Sequence, residues 1–361
     1  MMSMGRAFRV TLFGSSHGPE VGATLEGVPA GTPLDLARVQ QALDRRRPVG
    51  RRLATKRQEE DRLVIDSGLQ EGCADGTVIR GHVANQDVRR GPYEQMRDTP
   101  RPGHADYPAR VRYGATADLS GGGIFSGRMT VGLVFAGAVA AQMLEPQGIQ
   151  VASFTRAIGS REGQVRDSMT LDEVREGSSR NEVGCPDAEA AQAMEADIEA
   201  ARREGDSLGG IVETLATGLP VGLGEPFFDG LEGELAHALF AIPAVKAIEF
   251  GAGFRAARMR GSEHNDPFFY DGEKVRTRTN HSGGILGGLA TGMPLVFRVA
   301  VKPTSSIAKS QETVDLSRHE GARLVVTGRH DPCIVPRSVV VVECVTAAVL
   351  LDLMMRGGFY P

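Results

Sequence analysis

The stretch Arg128-Met129-Thr130-Val131-Gly132-Leu133-Val134-Phe135-Ala136-Gly137-Ala138-Val139-Ala140-Ala141-Gln142-Met143-Leu144 contains the longest apolar run of the chain, Val131 to Ala141. A helix of that run is too short to cross about 30 Å of hydrocarbon. Its Gly and Ala content instead predicts a helix, roughly Arg128 to Leu144, buried in protein. Outward from it, alternation and β-branched enrichment predict strands at Phe8 to Phe13, Ile211 to Thr217, Pro294 to Val301 and Ser338 to Val342. A helix is predicted from Asp187 to Glu204, with Pro186 near its start, Met194, Ile198 and Ala201 on one stripe, and Gly205 past its end. Another closes the chain from about Glu343 to Arg356. Forty-six glycines and 19 prolines punctuate these short elements, and no compositional break separates two halves. Leu119-Ser120-Gly121-Gly122-Gly123 and Asn280-His281-Ser282-Gly283-Gly284 echo one another too briefly to make a repeat. Strand runs and separate helices together give an α+β fold in one large domain, residues 1–361.

With 361 residues, 41% hydrophobic and 24% charged, the chain can bury a full core. Its net charge of -4 argues against a general nucleic-acid binder, which needs a clustered excess of Lys and Arg. Cys73, Cys185, Cys333 and Cys344 form no CxxC pair and read as reduced thiols, neither a disulfide framework nor a zinc site. No HxH or HxxxH spacing nominates a metal. The first ten residues lack the pattern of a secretory signal, so a cytoplasmic protein without a membrane partner is expected.

The chemistry lies in islands fenced by Gly and Pro. Gly14-Ser15-Ser16-His17-Gly18 follows a predicted strand directly, which directs the His17 ring toward a cleft. In Arg101-Pro102-Gly103-His104-Ala105-Asp106, Asp106 can orient the imidazole of His104. Each histidine alone could be structural. As a pair they offer an acid and a base near neutral pH. Asp44-Arg45-Arg46-Arg47-Pro48, followed by Arg51 and Arg52, suits a solvated basic face, or inward guanidiniums that grip phosphate. Arg128, Arg329 and Arg337 belong to further islands, Thr327-Gly328-Arg329-His330-Asp331-Pro332-Cys333 among them. A polyanionic ligand would account for so many. Gly121-Gly122-Gly123, Gly283 to Gly288 and Lys302-Pro303-Thr304-Ser305-Ser306 add backbone and hydroxyl donors that suit a phosphate or a flat ring. Neither GxGxxG nor GxxxxGK[ST] occurs in a strand-to-helix context, so Rossmann and P-loop readings fail.

These islands, with Gly205-Asp206-Ser207-Leu208-Gly209-Gly210, stand in the order found in chorismate synthases, and the chain resembles that family over nearly its whole length. The resemblance implies a β-α-β sandwich, helices between antiparallel sheets. It also implies a lyase that converts 5-enolpyruvylshikimate 3-phosphate to chorismate and phosphate by 1,4-anti elimination, the last step of the shikimate pathway. Reduced FMN is the implied cofactor, NADPH a candidate reductant and a homotetramer the implied assembly. Family roles suggest that His17 protonates the departing phosphate, that His104 donates toward the flavin, and that Asp331 assists removal of the C6 proton. Arg46, Arg52, Arg128 and Arg337 would contact the substrate. FMN would be held by Arg46, Arg52, Ile124, Phe125, Ser126, Pro243, Ala244, Gly287, Lys302, Pro303, Thr304, Ser305, Ser306 and Arg329.

The chain departs from the familiar pattern at Ser15, where a Glu is usual, and at Ile124 and Phe125, where Arg and Ser are usual. That loop is similar to a sub-branch with Phe-Ser-Gly-Arg. Two other readings of the islands stay open at the level of sequence. A flavin-dependent oxidoreductase on a phosphorylated metabolite would consume NAD(P)H in proportion to product, and a non-catalytic anion-binding protein would release no phosphate.

Overall fold

The computed structural model describes residues 2–47, 60–86, 98–114, 120–164, 169–326 and 330–361. Two five-stranded sheets, each antiparallel at every described pairing, enclose a layer of helices. The first contains β1 (Ser3–Met4), β2 (Arg9–Gly14), β3 (Glu20–Glu26), β4 (Val64–Ser67) and β5 (Ile79–Ala84), ordered β1-β2-β3-β5-β4. The second contains β6 (Gln150–Ile158), β7 (Arg161–Glu162), β8 (Gly210–Thr217), β9 (Val245–Phe250) and β10 (Leu295–Val301), ordered β9-β10-β8-β6-β7. Helices α1 (Leu36–Arg46), α2 (Asp106–Tyr113), α3 (Thr130–Leu144), α4 (Leu171–Ser179), α5 (Ala188–Arg203), α6 (Leu231–Leu239) and α7 (Val335–Arg356) complete the frame.

Register explains which faces are buried. In the first sheet Val10 pairs Leu25 and Leu25 pairs Ile79, while Val21 pairs Val83, so alternate side chains form one buried face. In the second, Val212 pairs Val299 and Ala216 pairs Leu295 on the buried side. Between the sheets lie α3 and α7, almost wholly buried, and one continuous hydrophobic core joins all these layers. Small residues permit the close approach. A methyl group at Gly132 would lie 2.6 Å from the carbonyl oxygen of Gly22, and one at Gly137 would lie 2.1 Å from that of Cys344. The two glycines thus set α3 against the first sheet on one side and against α7 on the other. With the short turns at its two ends α3 lengthens to Gly127–Gln147, and this stretch and α7 have the length and apolarity to cross a membrane, yet 83% and 89% of their most apolar windows are buried inside the protein.

The predicted strands at 8–13, 211–217 and 294–301 are present within a residue of their expected ends. The helices predicted from Asp187 and Arg128 are present too, the first capped by the Asp187 side chain and carrying Met194, Ile198 and Ala201 on its buried face. Ser338 to Val342 is corrected. It is helix, because α7 begins at Val335 rather than near Glu343. A valine costs a helix about 0.6 kcal/mol relative to alanine, whereas burying its side chain is worth roughly 1.5–3 kcal/mol, and Val339 through Val342 are all buried. Burial decides.

Candidate active site

Except for Gly283 to Gly288, which lies by the start of β10, the described parts of the islands come together at one end of the sandwich. The β2–β3 turn, the end of β5, the C-terminus of α1, the N-termini of α3 and α7 and the segment after β10 all emerge there, because antiparallel register places Gly14 beside Val21, Glu20 beside Ala84, and Val301 beside Gly210 and Val245.

His17 is buried in the β2–β3 turn. Ser16 Oγ donates to the Ser120 carbonyl at 3.0 Å and lies 3.0 Å from His17 Nδ1. A hydroxyl has one proton. Since Ser16 gives it to the carbonyl, Nδ1 is the donor to Oγ, and Nε2 is the nitrogen whose protonation can change. The Ser16 amide also donates to the Gly123 carbonyl at 3.3 Å, so the His17 turn is fastened to the triple-glycine loop.

That loop reaches the second histidine. Gly121, Gly122 and Gly123 have φ of 60°, 91° and 52°, a run that side-chain-bearing residues rarely adopt. A methyl group at Gly121 would lie 1.9 Å from His17 Cε1, and one at Gly122 would lie 3.3 Å from His104 Nε2. The absence of side chains therefore lets consecutive residues touch both imidazoles. His104 Nδ1 lies 2.6 Å from Asp106 Oδ1, which fixes the proton on Nδ1 and presents Nε2 to the loop. Arg101 holds Asp106 through Nε to Oδ2 (2.7 Å) and NH2 to Oδ1 (2.8 Å), and reaches Ser306 Oγ at 3.2 Å. Burial by itself would raise the Asp106 pKa. Hydrogen bonds from Arg101 and His104, with their charges, outweigh it and hold the carboxyl well below the usual carboxylate range.

The arginines form a second arc. Asp61 accepts from Arg46 NH2 on one oxygen and from Arg128 NH1 on the other, all three residues being buried. Arg128 Nε donates to Asn85 Oδ1 at 2.8 Å, and Asn85 Nδ2 donates to the carbonyls of Ser15 (3.0 Å) and Gly18 (2.9 Å), on either side of His17. At the other end, Arg337 Nε donates to the Arg46 carbonyl at 2.9 Å and its NH1 pairs with Asp331. One chain of polar contacts thus runs from the His17 turn through Asn85, Arg128, Asp61, Arg46 and Arg337 to Asp331. Burial, then the like charges of Arg337 and Arg128, bring the Arg46 pKa down to about 10 despite Asp61.

The remaining candidates line the second sheet's end. Lys302 donates through Nζ to the Gly103 carbonyl and through its amide to the Ala244 carbonyl at 2.9 Å, linking Pro243-Ala244 to the His104 island. Ser207 Oγ donates to the Thr304 carbonyl at 2.7 Å, and the Leu208 amide donates to that of Pro332 at 2.7 Å. The 205–210 segment therefore joins the 302–306 and 330–333 islands. Ser126 caps the turn before α3 by accepting from the Arg128 amide, Phe125 packs near Tyr113, and Ile124 is exposed. Gly287 sits at a hairpin tip whose described contacts run to Gly224, Gly230 and Leu231, not to the histidine islands. Pro48, Arg51, Arg52, Thr327, Gly328 and Arg329 lie outside the described residues.

Buried polar atoms without partners test whether these residues fit FMN and a phosphorylated substrate. Among the described residues, Arg46 Nε and Thr304 Oγ1 are two such atoms, each within an island that the family resemblance assigns to anion or cofactor binding. A leftover guanidinium donor at Arg46 and a leftover hydroxyl at Thr304 fit a ligand that carries phosphate. Asp61 and Asn85 escaped the sequence reading. An aspartate in the charged run Glu59-Glu60-Asp61-Arg62 and an asparagine after a strand have no local signal, since only the fold turns them inward.

Comparison with known proteins gives one answer. The sequence model of the family described as chorismate synthase matches residues 8–355. A chorismate synthase of Korarchaeum cryptofilum is 52% identical over 353 residues, covering 98% of this chain and 97% of the relative. One from Dehalococcoides mccartyi is 48% identical over 359 residues (99% and 98%), and one from Methanosarcina mazei 48% over 355 (98% and 96%). A crystal structure of chorismate synthase superposes with a TM-score of 0.78 at 28% identity, covering 98% of this chain and 93% of that one. With its helices sandwiched between antiparallel sheets, the chain belongs to the chorismate synthase family of lyases.

Proposed function

We propose that this protein, acting as a single catalytic domain, eliminates phosphate from 5-enolpyruvylshikimate 3-phosphate to give chorismate, with reduced FMN bound beside the triple-glycine loop. When bound, reduced FMN supplies electron density transiently to ease C3–O cleavage and takes it back as the C6 hydrogen leaves, so no net oxidation occurs. His17, its Nδ1 proton fixed on Ser16, delivers a proton from Nε2 to the departing phosphate. His104, aligned by Asp106, donates from Nε2 toward the cofactor side of the loop. Arg46, Arg128 and Arg337 offset the charge of the phosphate and carboxylates. Asp331, paired with Arg337, is the carboxylate that assists proton removal at C6. Lys302 to Ser306, Pro243-Ala244 and the loop of Ile124, Phe125 and Ser126 hold the cofactor, the last in the manner of a Phe-Ser-Gly-Arg sub-branch. Arg52, Arg329 and Gly287 remain assigned to the same cofactor by family resemblance.

The observation that carries this reading is the contact of Gly121 and Gly122 with His17 and His104, which sets both imidazoles against one loop. Exposed Phe227 and Phe228, 90% and 94% accessible, accord with assembly into the homotetramer expected of the family. Free cysteines accord with a reducing cytoplasm. The test is anaerobic phosphate release from 5-enolpyruvylshikimate 3-phosphate with photoreduced FMN. His17→Ala and His104→Ala should each lose about 10²- to 10⁴-fold in rate, the usual range for a positioned acid or base. Rates equal to wild type in both variants would remove the roles assigned here.

A further inference from the structure

We propose that Asp61, which no step of the reaction consumes, is a positioning residue that locks the Arg46 and Arg128 guanidiniums into one receptor for a phosphate or carboxylate group of the substrate. The inference rests on the reaction proposed above and names how its anion site is held. Asp61 is 2% exposed and gives one oxygen to each arginine. The arginines come from different elements, Arg46 from the end of α1 and Arg128 from the turn before α3. Without a carboxylate between them, two buried like charges would repel and their flexible stems would swing apart.

The backbone around Asp61 is held by other means. Gln40 Nε2 donates to the Asp61 carbonyl at 3.1 Å, and Gln40 Oε1 accepts from the Leu63 amide at 3.0 Å. Among the described residues the Asp61 side chain is thereby left to the two arginines, on a backbone in the left-handed region (φ 47°) that costs free energy. Arg46 Nε, buried and without a hydrogen-bond acceptor among the described residues, is the donor that a bound anion would satisfy. Through the Arg46 carbonyl the same arrangement also fixes Arg337, and with it Asp331.

The test is a four-protein cycle of wild type, Asp61→Asn, Arg46→Lys and the double variant. Equilibrium binding of 5-enolpyruvylshikimate 3-phosphate to the FMN-loaded enzyme is measured for each. Asp61→Asn keeps the shape and removes the charge. It should raise the substrate Kd about 10- to 100-fold, the usual effect of losing a group that orients a ligand-binding side chain. Arg46→Lys should cost a similar factor in the wild-type background but less than about threefold when Asp61 is already Asn, because a receptor that acts as a unit is lost only once. Additive losses, or an Asp61→Asn enzyme that binds as tightly as wild type, would overturn the proposal. If Asp61→Asn does not fold, Asp61→Ala with added formate replaces it. Recovery of substrate binding by formate but not by formamide supports the role, and failure of recovery or of folding assigns Asp61 to the scaffold and overturns it. A wild-type enzyme that does not bind this substrate would instead sink the proposed reaction.

Discussion

Asp106 shows how one residue's environment sets both chemistry and stability. Its ionised carboxylate keeps the proton of His104 on Nδ1, and the depressed pKa follows from Arg101 and His104 acting against burial. A carboxyl whose folded pKa lies below its unfolded value of about 3.9 stabilises the fold fully above that value, and the contribution is lost as pH falls toward the folded pKa. Asp106→Asn should therefore be less stable than wild type at pH 7, with the gap narrowing below about pH 4. Urea unfolding at pH 7 and pH 3 checks this, and an equal gap at both would argue against it. The sequence had marked His17, His104 and the Asp106 partner, since a polar side chain fenced by Gly or Pro announces itself locally. Asp61 and Asn85 stayed silent because their importance depends on which residues the fold brings within 3 Å, not on their neighbours in sequence.

At the scale of elements, the packing of α3 on α7 turns on Gly137. Replacing a helical glycine by alanine normally gains up to about 1 kcal/mol from propensity. Here a methyl group would meet the Cys344 backbone at 2.1–2.3 Å, and backbone cannot swing aside as a side chain does. Overpacking of a close-packed interior costs typically 1–3 kcal/mol, so Gly137→Ala should be net destabilising despite the better helix former. A lower urea midpoint with unchanged slope is expected, and a rise would show that α3 and α7 can part more easily than their packing suggests. The two predicted helices at 187–204 and 128–144 were legible because caps and apolar content speak for themselves. The valine run of α7 misled because β-branched preference is local, whereas its burial between α3 and the second sheet is a property of the finished sandwich.

At the scale of the whole molecule, one large hydrophobic core joins both sheets and the helices between them, and among the described residues only a four-residue buried cluster lies apart from it. Anaerobic assays with NADPH and FMN but no added reductase should therefore show no sustained NADPH oxidation, while photoreduced FMN supports many turnovers per flavin. NADPH consumed in proportion to product would point to an oxidoreductase instead. The sequence by itself determined the chemistry on offer, because imidazoles, guanidiniums and glycine loops declare their capacities through residue type and immediate neighbours. It determined the alternation of the strands for the same reason. Only the tertiary structure decided that a valine-rich segment would be helix, that Asp61 would join two arginines, and that Gly121 and Gly122 would bring His17 and His104 to one loop. Those outcomes depend on contacts between residues far apart in the chain, whose free energy exists only once antiparallel register and the packed helices have placed their ends together.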